Sequence, residues 1–72
     1  MNIFCEPGHK VIYLAENGHD YELDVANTVL TKGETYTVKD VDVHNYVSYV
    51  ELVEVPGQRF NSVQFKDKLK VV

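Results

Sequence analysis

The sequence predicts an all-β domain rolled into a small barrel. The stretches between turns are rich in Val, Tyr, Thr and Phe, whose branched and aromatic side chains fit a pleated surface. Turn-forming pairs divide the chain at short intervals: Pro7-Gly8, Asn17-Gly18, Lys32-Gly33, His44-Asn45 and Pro56-Gly57. Gly and Asn accept positive φ, and Pro pre-sets φ for a turn. The chain has 72 residues and a single cysteine. So short a chain has a thin core, and one thiol closes no internal disulfide. Dense packing, sheet closure or self-association must then supply stability. The expectation is one domain spanning residues 1–72.

The first strand is Lys10-Val11-Ile12-Tyr13-Leu14, apolar on both faces. Ala15 to Lys32 reads as a long folded-back loop. Within it Tyr21-Glu22-Leu23-Asp24-Val25 alternates apolar and acidic as a hairpin-like arm, with a weak helical turn at most near Asp24 to Thr28. The second strand alternates through Tyr36 and Val38, then resumes at Val41 and Val43. This switch from even to odd positions requires one extra residue, which places a β-bulge near Lys39-Asp40. After a short connection at His44-Asn45-Tyr46-Val47, a third strand runs from about Val47 to Val55. Pro56-Gly57 has the type II turn signature if Val55 opens the turn. Phe60-Asn61 begins a short fourth strand, Ser62 to Phe65 forms one 3₁₀ turn with Phe65 inward, and Leu69-Lys70-Val71-Val72 is a last strand that pairs with the first. This is the element order of a five-stranded SH3-like barrel with a long first loop; closure hides sheet edges.

Composition narrows the function. Seven Lys+Arg against eleven Asp+Glu give a formal net charge of −4. The basic residues are scattered, which argues against a phosphate-neutralising nucleic-acid surface. No apolar run approaches the ~20 residues of a membrane span. The start, Met1 to Glu6, shows no export signal, so a cytoplasmic protein is expected. His9, His19, His44 and Cys5 show no metal-ligand spacing. Cys5 with His9 four residues on is too little for a nucleophile and its base. No catalytic residue, metal or cofactor is assigned, and the chain reads as no enzyme.

The segments Lys32-Gly33-Glu34-Thr35-Tyr36-Thr37-Val38, Val50-Glu51-Leu52 with Glu54-Val55-Pro56-Gly57, and Phe60-Asn61-Ser62 with Phe65 resemble a family of small proteins encoded by bacterial phages and prophages. The resemblance covers residues 32–66. It implies an SH3-like fold and a phage setting, and it brings no catalytic residues. It also implies a groove between the long first loop and the facing turn, where tyrosines hold extended partners. Tyr13, Tyr21, Tyr46 and Tyr49 are the candidates for that surface, since tyrosine joins a large apolar ring to a polar tip. Arg59 and the acidic arm Asp20, Glu22 and Asp24 complete the candidate binding set; such an arm would favour a basic partner.

The expected function is a non-enzymatic, phage-encoded interaction module in the bacterial host cytoplasm, binding and inhibiting a host or phage protein. The alternatives are sequestration of a nucleotide signal or nucleic acid by Arg59, Lys66, Lys68 and Lys70 with Tyr46 or Tyr49, and a structural role through self-association as a homo-oligomer.

Overall fold

A computed structural model describes residues 1–68. The elements are β1 (Lys10–Tyr13), α1 (Asp20–Val29), β2 (Thr35–Val43), β3 (Ser48–Leu52), β4 (Val55–Asn61), a 3₁₀ turn (Ser62–Gln64) and β5 (Phe65–Asp67). The five strands form one antiparallel sheet in the order β4-β3-β2-β1-β5. The core consists of Val11, Tyr13, Val38, Val50, Leu52, Phe60 and Phe65 from the sheet and turn, with Ala26 and Leu30 from the helical connection.

The bulge expected in the second strand is present. Val38 pairs with Leu52 and Asp40 with Glu51, so the register slips across Lys39. The 3₁₀ turn and the inward Phe65 also lie where expected.

Two readings are corrected. The arm from Ala15 to Lys32 is not a hairpin but contains the ten-residue helix α1. The alternation of Tyr21, Leu23 and Val25 had suggested a strand. The positions that pack into the core are instead Ala26 and Leu30, both buried, four residues apart on one face. The His19 N–H donates to Glu22 Oε1 at 2.9 Å, as in the Glu half of a capping box. Asp20 and Glu22 also place negative charge in the first turn, where the helix dipole favours it.

The second correction is the position of the β3–β4 reversal. It falls at Val53-Glu54, between the pair Leu52↔Val55. The Val53 N–H donates to Thr37 O at 2.9 Å, and the Thr37 N–H donates to Glu54 Oε1 at 2.8 Å. The tip of the hairpin is therefore tied to β2. Pro56-Gly57 lies inside β4, in a bulge between Leu52↔Val55 and Glu51↔Arg59. Gly57 still has the positive φ of +84° that the type II reading required. Phe60-Asn61 consequently ends β4 rather than opening it.

The segment that pairs with β1 is Phe65–Asp67, with Tyr13↔Phe65 in register; Leu69–Val72 lies outside the described residues.

The N-terminal residues fold back on β5. The Met1 ammonium donates to Phe65 O at 3.1 Å, and the Asn2 N–H donates to both Asp67 carboxylate oxygens at 3.0 and 3.1 Å. His9 Nε2 lies 2.8 Å from the same carboxylate. The Asn2 N–H foremost, and His9 after it, hold the Asp67 carboxyl below its ordinary range despite partial burial. A group with a depressed folded pKa adds stability that is complete above its unfolded value, about 4, and is lost as the pH falls through the folded value. The melting temperature of the native chain should therefore drop more steeply below about pH 4 than that of Asp67→Asn. Equal slopes in circular-dichroism melts would contradict this.

Candidate functional site

A half-open cavity of about 240 Å³ lies between α1 and the β3–β4 hairpin. One wall is helical, and its residues Tyr21, Glu22 and Val25 follow from the 3.6-residue period. Tyr21, Val25 and Val29 stand at i, i+4 and i+8, and all three are exposed, Tyr21 by 67%. The helix thus carries a second apolar stripe beside the one it buries. The other wall comes from Tyr49 of β3 and from Arg59, Phe60 and Asn61 of β4, with Gln64 of the 3₁₀ turn also lining the cavity.

Each wall is positioned by contacts within the fold. The Tyr21 ring stacks on His19, with centroids 5.7 Å apart and planes 7° from parallel. Tyr49 meets the His44 ring edge-on at 5.9 Å. Arg59 Nη1 donates to Asp42 Oδ2 at 2.8 Å, and His44 Nε2 lies 3.1 Å from that oxygen. The guanidinium is thus already paired, although so exposed an ion pair contributes little to stability. Asn61 Nδ2 donates to Glu22 Oε1 at 3.2 Å and links the two walls.

Gln64 is fully buried, and neither Oε1 nor Nε2 has a hydrogen-bond partner among the described residues. Its main chain is engaged: Leu14 N–H donates to Gln64 O at 2.8 Å. Gly18 lies over the amide. A Cβ there would stand 3.2 Å from Glu22 Oε1 and 3.5 Å from Gln64 Nε2, at a φ of +77°. Only glycine meets both demands without strain.

Of the residues expected to bind, Tyr21, Glu22, Tyr49 and Arg59 converge on this cavity. Asp20 and Asp24 are exposed on α1 and do not line it. Tyr46 is fully exposed in the β2–β3 connection and borders a different hollow of about 340 Å³ with Ile3 and Val63. Tyr13 is corrected from surface to core. It is 0% exposed, its ring lies 5.6 Å from that of Phe65, and its hydroxyl donates to Asn27 Oδ1 at 2.8 Å. Burial pushes its phenol pKa up.

Val25, Phe60, Asn61 and Gln64 were not anticipated as site residues. A signal for the last two existed: side chains three apart in a 3₁₀ turn eclipse one another, which puts Asn61 and Gln64 on one side. Cys5 is half-buried. Burial first, and the Asp67 carboxylate second, raise its thiol pKa, which opposes the thiolate form.

Fold and groove together define a small β-rich domain with one helix. Among the described residues, no three His, Cys, Asp or Glu side chains are grouped to hold a metal, and no helix is long and apolar enough to cross a membrane. The chain belongs to the family of the bacteriophage T4 protein Y07B, whose family model matches residues 9–70. No curated protein and no solved structure matches it.

Proposed function

We propose that the protein is a non-enzymatic phage module that seats a segment of a host or phage protein in the groove between α1 and the β3–β4 hairpin. On this reading the sheet is an SH3-like barrel whose long first connection has become a helix, and the protein works in the host cytoplasm. Filling the partner's contact surface is how it would inhibit that partner. One observation carries the reading: Tyr21, Val25 and Tyr49 border a cavity floored by Phe60, so aromatic and apolar surface surrounds a concave site. Tyrosine-rich concavities of this kind are where interface energy concentrates.

Nucleotide sequestration draws less support. Arg59, the cation that lines the cavity with Tyr21 and Tyr49, already faces Asp42; Lys66 and Lys68 do not line it; and Lys70 lies outside the described residues.

The test places a photo-crosslinking residue at Val25, and at exposed Glu6 as a control, in phage-infected bacteria. The expected result is one protein crosslinked from Val25 alone. The purified partner should then bind the native chain and lose tenfold or more in affinity to Tyr21→Ala or Val25→Asp, the effect of removing a central anchor. Unchanged affinity in folded variants would overturn the reading.

A further inference from the structure

Resting on that reading, we propose that the Gln64 carboxamide recognises an uncharged amide: the main-chain peptide group of the partner segment in the groove. A primary carboxamide offers one acceptor and two donors. Buried polar groups in folded proteins are almost always paired, and an amide left unpaired loses the hydrogen bonds it made to water. Gln64 is 0% exposed, lines the groove, and has neither polar atom paired among the described residues. Its neighbours are already committed. Asn61 Oδ1 accepts from Val63 N–H at 3.3 Å while its Nδ2 serves Glu22, and Glu22 Oε1 also serves His19. Gln64 is thus a buried, uncommitted donor–acceptor pair in the groove, and a peptide group matches it with one C=O and one N–H.

Charge selects against a phosphate-bearing ligand. The groove holds the Glu22 carboxylate, and its cation Arg59 is paired with Asp42. The chain as a whole carries a formal charge of −4. A neutral peptide group meets no such repulsion.

The amide is closed to water, and the fold supplies a means of opening. Gly18, at the end of the Ala15–Gly18 loop, packs against it, and Asn17 Nδ2 holds the loop to Val63 O at 3.2 Å. Ala15 and Asn17 both sit in the left-handed region, at φ of 57° and 72°. Asn tolerates this region, but it costs energy for Ala15, so displacement of the loop releases strain there as the partner's main chain takes its place.

The experiment titrates the ¹⁵N-labelled full chain with N-methylacetamide, which carries both N–H and C=O, with methyl acetate, which lacks the N–H, and with uracil. The expected result is a saturable shift of the Gln64 Nε2 protons and of the Gly18 and Asn61 amides with N-methylacetamide. The shift should be absent with methyl acetate and lost in folded Gln64→Met. Equal response to methyl acetate, persistence in Gln64→Met, preferential binding of uracil, or contact of the Gln64 amide with a bound water only would each overturn the proposal. With the purified partner, Gln64→Met should weaken binding roughly tenfold, the effect of two neutral hydrogen bonds. A partner that binds Gln64→Met as tightly as the native chain, yet is weakened by Val25→Asp, would leave the groove reading standing and remove the amide inference alone.

Discussion

Phe65→Ala is expected to lower the free energy of unfolding by about 3–5 kcal/mol, the range for deleting a buried aromatic ring. Phe65 is 2% exposed and joins two other rings, Tyr13 at 5.6 Å and Phe60 at 6.2 Å. It also opens β5 and pairs with Tyr13 across β1, so the cavity left behind would lie where the last strand meets the first. Domains of this size have roughly 0.05–0.15 kcal/mol of stability per residue, which for 72 residues is about 4–11 kcal/mol. The variant should therefore be largely unfolded in mild denaturant. Urea titration followed by circular dichroism measures the loss, and a change below about 1 kcal/mol would show that the three rings are not the keystone of the core.

Gln64→Met should act in the opposite direction, raising stability by about 1–3 kcal/mol, the desolvation cost of an unpaired buried polar group. For a domain of this length that is on the order of 5–15 °C in melting temperature. Methionine has nearly the same length and fills the same space. A lower melting temperature would mean that the amide is paired in solution. Together with the expected loss of partner affinity, the gain would make Gln64 a residue retained for binding at the expense of stability.

Legibility in the sequence followed a simple divide. Features written in the order of neighbouring side chains could be read. The passage from Tyr36 and Val38 to Val41 and Val43 reveals the slip at Lys39, and the run from Asn61 to Phe65 reveals the 3₁₀ turn. The helix was hidden because its buried stripe is short and includes a small residue, Ala26. Its exposed Tyr21 and Val25, interleaved with half-buried Leu23, meanwhile lent the segment a false two-residue period. The β3–β4 reversal was misplaced because its anchor is a distant strand: Thr37 holds both Val53 and Glu54, a contact that no local pattern records.

The site followed the same divide. Tyr21, Glu22, Tyr49 and Arg59 could be chosen by residue type, since side chains of this kind suit binding surfaces. Tyr13 has the same chemistry and serves the core instead, with its polar tip satisfied by Asn27; only the three-dimensional position tells the two uses apart. Gln64 was passed over because a glutamine near a turn ordinarily faces solvent.

The interruption in β4 has a bearing on crowded conditions. The strand stands at one end of the sheet order, where a newcomer could otherwise dock rung upon rung. Pro56 lacks the N–H a rung requires, and the kink at Gly57 throws the rungs on either side of it out of step. That rim is a poor seed for endless cross-chain stacking, so copies of the protein are shielded from fibre growth along it.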